Sequence, residues 1–169
     1  MRRKIKVTNN FKRPAVFLDR DGTVNYDDGY TYKFSKLRFR PHVLKGLRYI
    51  TKQKYFIFIV TNQAGIAKGL YKLSDLLILN KKLKNYLKKK KIIINDIQYC
   101  PYHPNAILKR YKKVSGYRKP GNLMIKKILK KWNVDLKKSF MIGDRWKDIQ
   151  AGEKVRCKTI YLDHNYIKI

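Results

Sequence analysis

Acidic side chains are scarce in this chain. Only 11 Asp and Glu stand against 42 Lys and Arg in 169 residues, a formal net charge of +31. Cysteine is nearly absent, and the two that occur, Cys100 and Cys157, exclude a disulfide scaffold and read as reduced thiols. Nine glycines and five prolines exclude a collagen-like or linker-dominated chain. Long apolar runs are missing too. The strongest, Tyr55 to Val60, falls far short of the roughly 20 residues that a membrane-spanning helix needs. The opening MRRKIKVTNN is basic, but no apolar stretch of about 7–15 residues follows it, so no secretory leader and a cytoplasmic location are expected. What the chain does have is 44% hydrophobic residues, enough for one packed core and too many for a wholly disordered polymer.

A positive excess of this size ordinarily points to an anionic partner such as nucleic acid or an acidic membrane surface. The distribution points elsewhere. Lysines are spread over nearly every segment, with the densest runs at 88–91 and around 126–131. They stand where any solvated residue would serve. The expectation is therefore a lysine-rich surface that binds nucleic acid only through non-specific electrostatics, on a monomer with no membrane contact.

Residues 1–13 read as a basic amino-terminal arm, and residues 14–169 as one domain. Ala15 to Asp19 is a short apolar run ending in acid, the pattern of a buried strand that feeds a loop. Pro41 opens a helical pattern carrying Val43, Leu44, Leu47 and Ile50 on one face. Tyr55 to Thr61 is a second buried strand, rich in aromatic and β-branched residues. Ser74 is placed to cap a helix with Leu76, Leu77, Leu83 and Leu87 at helical spacing. A weaker strand at 96–100 precedes a long loop to about Pro120. A helix over 121–132, a strand over 139–143, a short helix near 147–153 and a last strand over 158–162 complete the chain. Strands alternating with helices imply an α/β fold, a central parallel sheet with helices on both faces.

The chemistry falls at the carboxyl ends of these strands, the edge where open α/β sheets bind ligands. The first strand ends in Asp19-Arg20-Asp21-Gly22-Thr23, the second in Thr61-Asn62-Gln63, the third confident one in Gly143-Asp144, and Arg118-Lys119 closes the long loop. Residues i and i+2 leaving a strand project to one side, so Asp19 and Asp21 can address a single substrate atom. One carboxylate can attack phosphorus while its neighbour protonates the leaving oxygen and later activates water. With Asp144 arriving from another strand, the site offers hard oxygen ligands that suit Mg²⁺ better than zinc. Thr61 and Lys119 can hold phosphoryl oxygens. A lone pair of aspartates more often caps a turn, and a lone Arg-Lys pair is usually a solvated patch. Four such elements in order, each at a strand end, are hard to assign to structure alone.

The segments DRDGTVN (19–25), VTNQAGIAKG (60–69), RKP (118–120) and GDRWKDIQAG (143–152) resemble the four motifs of the haloacid dehalogenase (HAD) superfamily. Within it, the histidinol-phosphate and heptose-bisphosphate phosphatase branch is the nearer likeness, covering about residues 14 to 163. The resemblance implies a Rossmann-like HAD fold without a separate cap domain, the insertion at 25–40 being too short for one. It implies that Asp19 is nucleophile and Asp21 acid/base, and that Thr61 and Lys119 steady the phosphoryl group. Mg²⁺ would sit on Asp19, the Asp21 backbone carbonyl and Asp144. Substrate contacts are implied for Asp27, Asp28, Gly29, Tyr30, Asn62, Gln63, Arg118 and Arg145. The implied reaction removes the 7-phosphate of D-glycero-D-manno-heptose 1,7-bisphosphate, a step toward the ADP-heptose of the lipopolysaccharide core. Histidinol phosphate and a polynucleotide 3′-phosphate are the competing substrates. A nucleic-acid binder on a degenerate scaffold is the non-enzymatic alternative, opposed by the intact Asp19, Asp21, Thr61, Lys119 and Asp144.

One departure stands out. The branch commonly carries a structural zinc before RKP, on Cys-x-His and Cys-x-Cys, whereas this chain has Cys100, Tyr102, Ser115 and Tyr117 at those positions. A single thiol with His103 one place out of register cannot complete a tetrahedral site, so no structural zinc is expected. Packing must then hold the loop, with Tyr102, Tyr111 and Tyr117 as candidates.

Overall fold

The computed structural model describes residues 11–163. Five strands form one parallel sheet: β1 (Ala15–Leu18), β2 (Phe56–Asn62), β3 (Asp96–Cys100), β4 (Phe140–Gly143) and β5 (Lys158–Tyr161), in the order β3-β2-β1-β4-β5. Five α-helices connect them: α1 (Val43–Lys52), α2 (Ala64–Ala67), α3 (Leu73–Lys89), α4 (Leu123–Leu129) and α5 (Trp146–Glu153).

The central strand shows why the sheet is sandwiched. All four residues of β1 are buried, so neither face can be left to water. Ala15 and Phe17 point to one face, joining Phe58, Met124, Ile128, Met141 and Ala151 under α4 and α5. Val16 and Leu18 point to the other, joining Ile57, Ile59, Leu47, Leu83 and Leu87 under α1 and α3. This two-residue alternation fixes the register, because a slip of one residue would exchange the two cores. β1 pairs with β2 from Ala15↔Phe56 to Leu18↔Ile59, and with β4 from Val16↔Phe140 to Leu18↔Ile142. The chain builds outward from β1 to β2 and β3, then returns across the sheet to β4 and β5. The strand order therefore switches between β1 and β4, which is where such sheets open a crevice at their carboxyl ends.

Several local details differ from the sequence reading. Helix α3 is not capped by Ser74, which lies inside it. Asp75 caps it instead, its carboxylate accepting a 2.8 Å hydrogen bond from the Lys72 backbone N–H. Leu77 is 48% exposed, while Leu79 is buried with Leu76, because the buried stripe runs through Leu76, Leu79, Leu83 and Leu87 at three- and four-residue spacing. Helix α1 begins two residues after Pro41, and α4 ends at Leu129, short of Trp132. Trp132 packs its ring edge-on against Phe56 at 5.0 Å. The short helix α2 was not anticipated, since AGIA has no amphipathic period to read.

Residues 1–10 of the expected arm lie outside the described residues. Arg13, at the arm's end, bridges Val134 and lays its guanidinium 4.4 Å from the Phe56 ring centroid. The long loop is held by Tyr102 and Tyr111, whose rings are 6.2 Å apart, and by Lys113, whose ammonium stands 3.9 Å from the Tyr102 ring centroid. Tyr117, the third candidate, is 36% exposed. Cys100 is fully buried in the α4–α5 core, and His103 Nδ1 already accepts from the Asn105 backbone N–H. That environment, with tyrosines and a serine at the other three positions, does not fit zinc.

Candidate active site

Because the strands are in register, their ends deliver the polar residues to one place. Asp19 directly follows β1, its backbone N–H donating to the Ile142 carbonyl of β4 at 3.0 Å. Thr61 ends the buried part of β2, and Asp144 follows β4. Lys119 comes from the long loop, which carries it to the sheet edge through Asn62. The Asn62 side chain grips the Lys119 peptide at both ends, accepting from its N–H at 3.0 Å and donating to its carbonyl at 3.1 Å.

A charged triad sits at the bottom. Lys119, only 2% exposed, places its ammonium 2.9 Å from Asp19 Oδ1 and 2.6 Å from Asp148 Oδ1, and donates to the Val60 carbonyl at 2.7 Å. Burial opposes its charge, but the two carboxylates outweigh burial and hold Lys119 above the usual lysine range. Burial dominates at Asp19. It pushes that carboxyl up to about 6, with Lys119 pulling the other way and Asp148 adding to the rise. Asp19 Oδ1 also accepts from the Arg20 backbone N–H at 2.7 Å.

Sequence reasoning missed Asp148, which is fully buried. The available signal was its place three residues after Arg145 at the start of a helix. There its Oδ2 accepts the Arg145 backbone N–H at 3.1 Å as an N-terminal cap. Gly143 is needed behind it, because a Cβ there would lie 2.3 Å from the Asp148 Cβ.

The carboxylates of Asp19, Asp144 and Asp148 offer oxygens within 4.8 Å of one another. Three negative charges against the one buried ammonium leave a deficit that a divalent cation would fill. Gly22 makes room for this cluster. It has φ +88°, and a Cβ on it would fall 2.2 Å from Asp144 Oδ2. Thr23 steadies Asp144 through a 3.3 Å hydrogen bond to Oδ1. A set made only of hard oxygens fits Mg²⁺; Asp19 and Asp144 could serve as ligands, while Asp148 is tied into the protein through both of its oxygens.

Asp21 is held apart from that cluster by four donors. Its Oδ1 accepts from Arg20 Nε at 3.0 Å and Asn25 Nδ2 at 2.9 Å, and its Oδ2 from an Arg20 terminal nitrogen at 2.8 Å and Gln63 Nε2 at 3.0 Å. Arg20 is fully buried and also donates to the Thr31 carbonyl at 2.8 Å. Gln63, implied as a substrate contact, is only 2% exposed, with both ends of its amide engaged. Its nitrogen donates to Asp21 and, at 2.9 Å, to Thr61 Oγ1, while its oxygen accepts from the Tyr71 hydroxyl at 2.6 Å. Neither Arg20 nor Tyr71 was anticipated. A buried arginine beside an acid cannot be told from any other basic residue by sequence.

Above these groups opens a pocket of about 310 Å³, lined among others by Asp27, Gly29, Tyr30, Arg118, Arg145 and Lys147. Asp27 and Arg145 form a 2.7 Å ion pair across its rim. Asp28 does not line it, and instead pairs with Arg38 at 2.6 Å on the surface. Lys147 was not foreseen. Burial, then the neighbouring Arg118 and Arg145, hold its ammonium below the usual lysine range.

A model of the HAD-hydrolase-like family matches residues 116–164. A D-glycero-beta-D-manno-heptose-1,7-bisphosphate 7-phosphatase of Rhodopseudomonas palustris is 37% identical over 142 residues, covering 84% of this chain and 79% of that protein. The chain is a HAD-family phosphatase. A D-glycero-alpha-D-manno-heptose-1,7-bisphosphate 7-phosphatase of Photorhabdus laumondii is also 37% identical, over 156 residues that cover 90% of this chain and 85% of its own. The D,D-heptose 1,7-bisphosphate phosphatase from B. bronchiseptica, solved with magnesium and phosphate, superposes with a TM-score of 0.76 at 27% identity. That match covers 86% of this chain and 78% of the other. The phosphatase is thus a phosphoric monoester hydrolase on a HAD-like α/β fold. Among its described residues, no helix is long and apolar enough to cross a membrane.

Proposed function

We propose that this phosphatase removes the 7-phosphate of D-glycero-D-manno-heptose 1,7-bisphosphate in a Mg²⁺-dependent reaction, acting as a cytoplasmic monomer on the route to ADP-heptose. The observation that carries the reading is the pairing of Asp19 with Lys119 at 2.9 Å beneath an open pocket rimmed by cations. The relatives named as heptose-bisphosphate phosphatases support the substrate.

The chemistry follows from the residues. Among the described residues no donor engages Asp19 Oδ2, so that oxygen is available to attack phosphorus. A bond forms from Asp19 to phosphorus as the bond to the sugar oxygen breaks. Asp21 gives its proton to that oxygen, and the sugar leaves as an alcohol. Water then attacks the aspartyl phosphate, Asp21 takes the proton, and Asp19 is released with inorganic phosphate. Lys119 and Thr61 stabilise charge on the phosphoryl oxygens throughout. Mg²⁺, held by Asp19, Asp144 and the Asp21 backbone carbonyl, would add further neutralisation of the phosphoryl group. Arg20, Asn25 and Gln63 occupy both Asp21 oxygens, so one of those oxygens leaves this set to take part in either proton transfer.

The test is phosphate release from the heptose bisphosphate with Mg²⁺, with histidinol phosphate and a 3′-phosphorylated oligonucleotide alongside. Selective release from the heptose, lost with EDTA and in Asp19→Asn, is expected. Faster turnover of either competitor would keep the mechanism and overturn the substrate.

A further inference from the structure

The Gln63 amide has room for four hydrogen bonds, two at each end, and the protein fills all of them. Its oxygen accepts from the Tyr71 hydroxyl at 2.6 Å and from an Arg20 terminal nitrogen at 3.2 Å. Its nitrogen donates to Asp21 Oδ2 at 3.0 Å and to Thr61 Oγ1 at 2.9 Å. The side chain lines the pocket at 2% exposure, yet nothing of its amide is left over for a substrate.

Charge fixes the polarity of this set. Arg20 can only donate and an ionised Asp21 can only accept, so the Gln63 oxygen must face the first and its nitrogen the second. Thr61 Oγ1 is thereby made an acceptor. Its own hydroxyl hydrogen has to point elsewhere, and among the described residues no protein group accepts it. Thr61 lines the pocket together with Asp19 and Lys119. When one Asp21 oxygen leaves the set for proton transfer, two donors, Tyr71 and Arg20, still hold the Gln63 oxygen in place. Tyr71 is itself locked. Its ring stacks on Tyr32 at 5.1 Å, and a Cβ on Gly65 would fall 2.2 Å from its Cε1. Burial raises its hydroxyl above the usual tyrosine range, so it stays a donor.

We propose that Gln63 is a positioning residue for Thr61, its amide aiming the Thr61 hydroxyl hydrogen into the pocket as a donor to the phosphoryl oxygens, with Tyr71 and Arg20 holding the amide to that task. This rests on the reading of Thr61 as a phosphoryl contact given above. A hydroxyl already turned toward those oxygens need not reorient as charge develops on them, and donors fixed in advance are the ones that lower a barrier. Gln63 therefore works from behind Thr61 and not on the substrate, and its effect belongs in kcat.

The experiment measures turnover of p-nitrophenyl phosphate, a generic phosphate monoester, with Mg²⁺ by the full chain and by Gln63→Met, each with Thr61 intact, as Thr61→Ser and as Thr61→Val. With Thr61 intact, Gln63→Met is expected to lower kcat by about 10-fold or more and to shift KM by no more than about 2-fold. Thr61→Ser keeps a hydroxyl and should show the same loss. Thr61→Val has none to aim, and there Gln63→Met should cost only about 3-fold, the share carried by Asp21. An equal loss in all three backgrounds would overturn the proposal, leaving Gln63 to act through Asp21 alone. A Thr61→Val enzyme as active as wild type would instead sink the reading of Thr61, and the proposal with it. Should the wild-type chain turn over no monoester, the functional reading fails, and calorimetric titration of orthovanadate with Mg²⁺ into the same six proteins decides. Weaker binding in Gln63→Met only where a hydroxyl is present supports the proposal. Equal weakening with Thr61→Val, or no weakening, overturns it.

Discussion

Lys119 and Asp148 meet at 2.6 Å with almost no solvent access, and Asp19 stands on the other side of the same ammonium at 2.9 Å. A buried cation between two acids is stable only as a set. Removing Lys119 leaves two carboxylates repelling in a low-dielectric interior. Lys119→Met should therefore lower stability by about 3–5 kcal/mol, measured by urea unfolding. Asp148→Asn keeps shape and part of the hydrogen bonding, and should cost less, about 2 kcal/mol. Both should abolish most turnover. A Lys119→Met protein as stable as wild type would show that the triad is not the electrostatic unit described.

Asp19 gives a pH dependence of defined sign. Burial raises its carboxyl from 3.8 to about 6, so between those values the folded protein binds the proton more tightly than the unfolded one. The contribution of this group to stability is then present below pH 4 and lost as pH rises through 6 in metal-free protein. A divalent cation reverses the trend, because it binds the ionised form. The rise in melting temperature on adding Mg²⁺ should be larger at pH 7.5 than at pH 5, and removing the metal with EDTA should erase it. Equal shifts at both pH values would place the cation away from Asp19.

Much of this site was legible because its residues lie at ends of strong strand signals. AVFLD and YFIFIVT announce both the strands and where they stop, so Asp19, Asp21 and Thr61 could be placed from the pattern alone. Parallel pairing then put them on one edge. Lys119 needed more. It arrives from an irregular loop, and only its two hydrogen bonds with Asn62 show how it is positioned. Asp148 and Arg20 were hidden for other reasons. The role of Arg20 depends on burial, and in a chain with 42 basic residues the charge pattern gives no hint of which are buried, whereas Asp148 reads from sequence only as the cap of a helix start. Helix α2 escaped because four residues, AGIA, are too few to show a period.

Gln63 and Arg118 look alike as sequence candidates and should separate in kinetics. Both line the pocket, but Gln63 is only 2% exposed and is engaged by Asp21, Thr61 and Tyr71, whereas the half-buried Arg118 guanidinium contacts the Tyr102 carbonyl at 3.5 Å. Gln63→Ala removes a donor to Asp21 without touching substrate. It should lower kcat by about 10- to 100-fold and shift KM by no more than about 2-fold. Arg118→Ala should raise KM by about 10-fold or more, with a smaller change in kcat. Tyr71→Phe, which releases the Gln63 oxygen, should resemble a weaker Gln63→Ala. Reversal of this pattern would return Gln63 to the substrate-binding role that its motif implied.

The charge of +31 bears on stability before it bears on any partner. Attractive contacts do not balance it, because the described residues hold eight salt bridges, several of them exposed or as long as 4.0 Å. Lysines spread around the surface repel over distances comparable to the Debye length, about 10 Å at 0.1 M salt. Unfolding lets them move apart, so low ionic strength favours the unfolded chain. Salt should relieve this, and the few surface pairs that it weakens are worth too little to reverse the sign. The melting temperature should rise by about 4 °C between 20 and 300 mM NaCl, if screening is worth roughly 1–2 kcal/mol for a chain of this size. The same rise with the buried Lys119–Asp148 pair removed, in Lys119→Met/Asp148→Asn, would assign it to the surface. An unchanged melting temperature would mean that the lysines are already far enough apart to ignore one another.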